Sequence, residues 1–282
     1  MLVFFLYAAA AAFIAGNLYR VVRILRMPAH LRWELYPMPG PGSYFEQPEW
    51  WTRPAGHPWG SQLAYIAGEV FGFATLWKRN RPMWLWSWLL HMGLFALVAA
   101  IGFTFLGAFW LATFQGALRL AIAIVACAGI PGTLGLLTVR QRRLRGVSSR
   151  ADIFNLLLIA SVFATAAAAL LLDTRFPEAM SVLAGALLGM NPAPELGLAA
   201  TAHVVVLGLF LAYFPATHMT HAYMKFFAFH RVRWDDAAVA HRPSMARAMA
   251  RNLERPISWA APHIGKQNWA AAVAGSDDEV RR

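Results

Sequence analysis

Five long apolar stretches, joined by more polar segments, dominate this 282-residue chain. They cover residues 3–23, 83–110, 117–139, 153–173 and 198–226. Each is long enough to supply the roughly 20 helical residues that cross a bilayer core. Hydrophobic residues make up 59% of the chain and charged residues 14%, a composition outside the range of soluble domains. The sequence predicts an all-α, polytopic membrane protein built as a five-transmembrane-helix bundle.

The distribution of basic residues indicates how this bundle is oriented. Of the 25 Lys and Arg residues, 23 fall on one side of the predicted bundle, and only Arg119 and Arg175 fall on the other. Because short cytoplasmic segments carry the excess of Lys and Arg, the pattern places the N-terminus outside and the C-terminus in the cytoplasm. The net charge of +11 is therefore mainly a topology signal. No basic stripe with interleaved aromatic residues indicates nucleic-acid binding.

We expect two domains. Residues 1–226 form the five-helix domain, which includes a cytoplasmic loop at 24–82 and an outer loop at 174–197. Residues 227–282 form a cytoplasmic tail that docks to a partner subunit, and residues 242–256 within it predict a basic helix.

The two long loops carry predicted elements of their own. Residues 61–82 are amphipathic and predict a helix lying along the membrane surface. The apolar piece at 180–190 is too short to span a bilayer and predicts a cap over the outer end of the bundle. The single cysteine, Cys127, excludes an internal disulfide and an all-cysteine iron–sulfur site, so any such cluster must come from a partner.

Histidines within the apolar stretches are the candidate functional residues. His203 and His221 are eighteen residues apart in the fifth stretch, which in one helix places both on one face, about 27 Å apart along the axis. His91 lies in the second stretch. Imidazoles are costly inside a bilayer and usually mark a ligand or a charge pathway. Two helices that offer histidines at similar depth can hold a b-type haem between them.

His91 and His221 both fall in the cytoplasmic half of the predicted bundle, so we expect them to be the axial ligands of one haem iron. We favour His221 over His218, which lies one turn earlier and is the alternative ligand. His221 shares a face with His203 and follows a break at Phe214-Pro215. The alternative for each of these histidines is a structural role, in which the side chain forms a hydrogen bond between helices.

His203 lies near the outer end of its stretch, where no histidine of another stretch is available. Three roles stay open for His203: a haem site that has been lost, contact with a quinone, or ligation of a second haem with a partner such as methionine. One b haem is therefore predicted, and a second remains an open alternative.

These residues carry a resemblance. LLHMGLF and HVVVLGLFLAYFPATHMTH resemble the γ subunit of respiratory nitrate reductase and the membrane cytochrome b subunits of sulfate-reducer electron-transfer complexes. HLRWELYP, GSYFEQPEWW, THMTHAYMKFFAFHRVRWDD and RPISWAAPHIGKQNWA are similar to the branch found in the transmembrane and high-molecular-weight cytochrome c complexes and in heterodisulfide-reductase-like modules. In nitrate reductase γ a second histidine follows the first by ten residues, and Ile101 occupies that place here.

The resemblance, which extends over nearly the whole chain, implies a quinone-reactive electron-transfer subunit in the cytoplasmic membrane of a bacterium or archaeon. It would pass electrons between menaquinone, or another quinone, and a cytoplasmic iron–sulfur subunit that is heterodisulfide-reductase D-like. A multihaem cytochrome c on the outer side is a further expected partner. Two alternatives remain. A haem-free membrane anchor would leave His91 without a reason to lie mid-span, and a transporter is disfavoured because no internal repeat is visible.

Overall fold

The structure is a computed structural model that describes residues 1–26, 59–144, 146, 148–224, 243–257 and 268–274. These residues fall into two compact units, one comprising residues 1–26 and 59–224 and the other comprising residues 243–257 and 268–274. Within the described residues the chain is helical, and the only pairing of extended backbone is a single antiparallel bridge between Pro256 and Asn268.

The first unit is a helical bundle. Its helices are α1 (Leu2–Arg26), α2 (Trp59–Phe71), α3 (Ala74–Arg79), α4 (Arg81–Phe109), α5 (Leu111–Ile124), α6 (Ile130–Arg142), α7 (Arg150–Leu172), α8 (Phe176–Leu187) and α9 (Leu198–Tyr213). A π-helical turn, Val125–Gly129, joins α5 to α6 in one continuous crossing. Five helical segments are long and apolar enough to cross a membrane. The prediction of an all-α chain with five such helices is confirmed for the described residues.

Helix α4 packs against α5, α6 and α8, while α9 packs against α1 and α7. Glycines allow α4 to approach closely the third crossing, which consists of α5, the π-helical turn and α6. A Cβ added at Gly93 would collide with Cα of Gly129, and a Cβ added at Gly132 would collide with the backbone of Leu90. The fully buried Phe163 of α7 covers the first of these contacts. Small residues at such crossings are what bring apolar helices together where lipid offers no hydrophobic drive.

One end of this bundle carries most of its basic residues, and we call it the basic end. It comprises the C-termini of α1 and α6, the N-termini of α4 and α7 and the turns that follow α9. Arg140 of α6 pairs there with Asp152 of α7 at 3.2 Å. At the opposite end, Arg119 donates to the Thr174 carbonyl at 2.6 Å.

The predicted surface helix at 61–82 is wrong as a single element, because the chain turns a corner between α2 and α3. Phe73 has φ 50°, in the left-handed region. Two indoles of α4 fix the corner: Trp84 Nε1 donates to the Gly72 carbonyl at 2.8 Å and Trp88 Nε1 to the Phe71 carbonyl at 3.0 Å. Glu69 then accepts from the backbone and hydroxyl of Thr75 at 3.2 and 2.7 Å, which ties α2 to the first turn of α3.

The fifth apolar stretch is not one helix either. Helix α9 ends at Tyr213, and 3₁₀ turns follow at Phe214–Ala216 and His218–Thr220, with Thr217 extended between them. Pro215 lies at the first of these turns, where a missing N–H and a bulky ring cannot continue an α-helix. The expected break at Phe214-Pro215 is confirmed, but the single helix over 198–226, and with it the shared face of His203 and His221, is wrong.

The predicted cap at 180–190 corresponds to α8, a twelve-residue apolar helix. It lies at the end opposite the basic end, where Tyr7 of α1 donates to the Leu187 carbonyl at 2.6 Å. Its inner face is buried against α4 and α5, and Ser181 accepts from Gln115 at 3.2 Å.

The second unit contains α10 (Pro243–Leu253) and α11 (Trp269–Ala274). The predicted basic helix at 242–256 is confirmed as α10. The Trp269 N–H donates to the Arg255 carbonyl at 3.4 Å, beside the Pro256–Asn268 bridge. The docking role of the tail stays a prediction, and much of the tail lies outside the described residues.

Candidate functional site

The structure brings His91 and His221 together at the basic end of the bundle. Their ring centroids are 6.3 Å apart, and their planes are inclined at 71°. His91 projects from the third turn of α4, and His221 follows the second 3₁₀ turn. The two residues that sequence analysis paired are therefore neighbours in the fold, although they are 130 residues apart in the chain.

The hydrogen bonds of these rings define which nitrogen is free. Nδ1 of His91 lies 2.6 Å from the Ser87 carbonyl, and Nδ1 of His221 lies 2.9 Å from the His218 carbonyl. A carbonyl only accepts, so each Nδ1 donates, and in the neutral imidazole each Nε2 keeps a lone pair. Neither ring can then donate to the other, while both can bind a metal. Backbone carbonyls are common partners of metal-ligating histidines, whose tautomer and orientation they fix.

The separation of the two rings fits a shared metal ion. A metal–imidazole bond is about 2 Å long, and the ring centre lies about 1 Å behind the nitrogen. Two imidazoles on opposite sides of one ion thus have centroids about 6 Å apart, close to the 6.3 Å between His91 and His221. The described residues contain no group of three or more His, Cys, Asp or Glu side chains that could hold a metal. A macrocycle that supplies the remaining ligands is the kind of metal group this pair suits.

Helix α1 holds the turn that carries His221. Arg20 Nη1 donates to Thr220 Oγ1 at 3.1 Å, and the Tyr223 hydroxyl donates to Asn17 Oδ1. Gly16 lies directly under Pro215, where an added Cβ would be 2.6 Å from the proline Cβ. Burial raises the pKa of Tyr223, against the opposing effect of the Arg20 charge, so this hydroxyl remains a donor. These contacts between α1 and the turn that carries His221 were not predicted from the sequence, although Gly16, Asn17 and Arg20 share one face of α1.

Phe73 forms one wall beside His91. The two rings have centroids 4.7 Å apart and are inclined at 55°. The left-handed backbone at Phe73 costs roughly 1–2 kcal/mol for a residue other than glycine. The corner held by Trp84 and Trp88 therefore imposes this conformation and places the phenyl ring against the imidazole. No local sequence signal indicates it.

His218, the alternative ligand, is directed to a different helix. Its Nε2 lies 3.7 Å from Asp152 and its Nδ1 lies 3.4 Å from the Asn155 amide, both on α7. The geometry therefore supports His221 as the residue that faces His91.

His203 is separate from this pair and lies in the opposite half of the bundle. It is buried, with 6% of its surface exposed. Nδ1 lies 3.1 Å from Thr165 Oγ1 on α7, and the Phe176 ring of α8 is 5.7 Å away between centroids. The residue lines an apolar cavity of about 220 Å³, whose wall also includes Ile101. Ile101 thus borders the same space as His203.

No protein-family model, curated protein or solved structure matches this chain.

Proposed function

We propose that this chain is the membrane cytochrome b subunit of a respiratory redox complex, in which His91 and His221 hold one b-type haem. The observation that carries the proposal is the pair of histidines whose Nδ1 atoms are tied to backbone carbonyls and whose rings stand 6.3 Å apart. When bound, a haem with two imidazole ligands supplies one-electron transfer and has no open position for oxygen.

The residues around the pair fix the orientation of the His91 and His221 rings and limit the access of water to them. The Ser87 and His218 carbonyls fix the ring tautomers. Arg20 and Asn17 hold the His221 turn against α1. Phe73 shields one side of His91. Fixed ligand orientation is one of the means by which a protein tunes a bound redox centre.

The wider assignment follows from charge and from the resemblance. The N-terminus lies outside and the basic end lies in the cytoplasm of a bacterial or archaeal cell, since basic residues concentrate at that end. A single cysteine cannot hold an iron–sulfur cluster, so the electron partner in the cytoplasm is a separate subunit, of the heterodisulfide-reductase D-like kind. Menaquinone or another quinone is the exchange partner in the membrane, and a multihaem cytochrome c is a further partner outside.

The test is a reduced-minus-oxidised spectrum of the purified protein, with haem counted as the pyridine haemochrome. We expect one b haem per chain, lost in His91→Ala and in His221→Ala. His218→Ala keeps the backbone carbonyl that orients His221 and is the matched control, so it should retain the haem.

Wild-type protein without haem would overturn the assignment and leave the haem-free anchor as the better description. Full haem retention in either His91→Ala or His221→Ala would overturn the ligand pair.

A further inference from the structure

Helix α10 of the second unit has two opposite faces of different chemistry. Arg247 and Arg251 are about one helical turn apart on the first, which we call the arginine face. Met249 lies two residues after Arg247, a rotation of about 200°, so Met249 and Leu253 share the opposite, apolar face. Met249 is 46% exposed and Leu253 is 38% exposed. Much of the apolar face is therefore left uncovered by the described part of the chain.

The segment that contains α10 carries an excess of positive charge. Residues 243–257 contain three arginines, the third being Arg255, and one acidic residue, Glu254. The ion pairs found among the described residues include none of these arginines. A helix with arginines on one face and bulky apolar side chains on the other is typical of helices that lie in the interface of a membrane.

The length of the connecting chain limits how far α10 can be from the bilayer that the apolar helices would cross. Only 18 residues, 225–242, lie between the last described residue of the bundle and Pro243. A chain of this length spans at most about 65 Å even when it is fully extended. The membrane surface is therefore within reach of α10, and a contact that would be weak between separate molecules becomes an intramolecular event.

We propose that α10 binds the anionic surface of the bilayer that holds the bundle, with its apolar face among the upper acyl chains and its arginine face at the lipid phosphates. The inference rests on the membrane location that the proposed function includes, and it is independent of the haem. The opposite charges of the arginines and the phosphates make the lipid surface complementary to this helix.

The dimensions of a helix fit this arrangement. An interfacial helix buries its apolar face about 5–10 Å into the boundary between head groups and acyl chains. Because an α-helix is about 10 Å across, the arginine face then lies at the level of the phosphates. A guanidinium forms paired hydrogen bonds with phosphate oxygens. Each basic residue close to an anionic surface strengthens binding about fivefold.

A protein partner fits the apolar face less well. A stable protein interface buries about 800 Å² on each side. The described large side chains of this face are Met249 and Leu253, both of which are already partly buried. So small a contact suits a surface that the chain itself keeps within reach, as it does the bilayer.

The test uses the full chain with Met249→Cys in a Cys127→Ser background, labelled with an environment-sensitive NBD fluorophore. The protein is placed in nanodiscs of phosphatidylcholine, either alone or mixed with phosphatidylglycerol, and each set is repeated with a nitroxide quencher on the upper acyl chain. In the anionic nanodiscs we expect blue-shifted emission that the nitroxide quenches. In the zwitterionic nanodiscs, and at about 1 M salt, where the Debye length is about 3 Å, we expect emission like that of the probe in water.

Paired substitutions on the arginine face test the role of charge. Arg247→Gln combined with Arg251→Gln should lower the ratio of bound to free helix, read from the two fluorescence lifetimes of the probe, by about 25-fold. Arg247→Lys combined with Arg251→Lys keeps both charges and is the matched control, so it should behave like the parent protein. Glutamine and lysine have similar helix propensities, so a difference between the two double variants reports charge rather than loss of the helix.

Water-like emission in the anionic nanodiscs, or equal quenching in the two double variants, would overturn the inference. Blue-shifted emission that the nitroxide lipid does not quench would overturn it as well, because protein rather than lipid would then cover the apolar face. Haem is counted in the same preparations, so the two proposals can fail separately. The expected quenching pattern in protein without haem would support the lipid contact and contradict the cytochrome.

Discussion

Three histidines of the bundle share one arrangement at the level of single atoms. In each of them Nδ1 is engaged by a partner on a helix or turn, a carbonyl at His91 and His221 and a hydroxyl at His203. A carbonyl only accepts, so at His91 and His221 Nδ1 donates, and in the neutral imidazole Nε2 keeps a lone pair. The three rings nevertheless lie in two places. His91 and His221 are neighbours at the basic end, and His203 lines a cavity whose lining includes no other histidine. The same side chain thus occurs in two settings, as a pair of neighbouring rings and as a single ring beside an apolar cavity.

Phe73 allows a direct test of the strained corner beside His91. Phe73→Gly and Phe73→Ala remove the same ring, but only glycine adopts φ 50° without a steric penalty. We expect Phe73→Gly to be more stable than Phe73→Ala by about 1 kcal/mol, measured by chemical unfolding in detergent. In an ordinary helical position alanine would be the more stable of the two, so the reverse order would show that residue 73 does not adopt the left-handed conformation.

At the scale of whole elements, sequence analysis predicted what depends on composition and missed what depends on tertiary contacts. The apolar stretches, the short α8 and the break at Pro215 follow from length, hydropathy and proline chemistry. The α2–α3 corner does not, because a left-handed phenylalanine is locally unfavourable and is imposed by indoles of α4. The pairing of His91 with His221 was predicted from depth, yet His221 reaches its place through 3₁₀ turns held by α1. The shared-face argument that favoured it was therefore wrong.

The glycine contact between α4 and the third crossing is a close approach of two helix backbones. A methyl group at Gly93 would collide with Cα of Gly129 and lie 3.2 Å from Cζ of Phe163. Backbone cannot move aside as a side-chain tip can, so the helices must separate.

We expect Gly93→Ala to destabilise the protein by about 1–3 kcal/mol. Gly102→Ala, on the same helix, is the control: its added Cβ meets nothing within 4 Å, and replacing a helical glycine by alanine gains about 0.5–1 kcal/mol. Thermal unfolding in detergent should therefore move in opposite directions for the two variants. Equal shifts would mean that the helices do not cross at Gly93.

At the scale of the whole molecule, the two ends of the bundle differ in charge. The basic end carries the paired histidines, while the opposite end carries α8 and adjoins the cavity lined by His203 and Met180. If the basic end lies in the cytoplasm, the proposed haem is near a cytoplasmic partner and the cavity lies nearer to the outer face. Orientation therefore decides which side of the membrane the histidine pair serves.

Labelling single cysteines tests that orientation. Cys127 is the only native cysteine, so Cys127→Ser provides a background in which each introduced thiol is unique. Ala112→Cys lies at the start of α5 and Arg143→Cys just after α6, both at exposed positions at opposite ends of the bundle. In intact spheroplasts a membrane-impermeant maleimide should label Ala112→Cys, and it should label Arg143→Cys only after lysis. By the positive-inside rule the excess of basic residues favours a cytoplasmic Arg143 end, and removing one arginine of this excess is too small a change to reverse that preference. The opposite labelling pattern would place the His91–His221 pair near the outer face and remove the reason for a cytoplasmic electron partner.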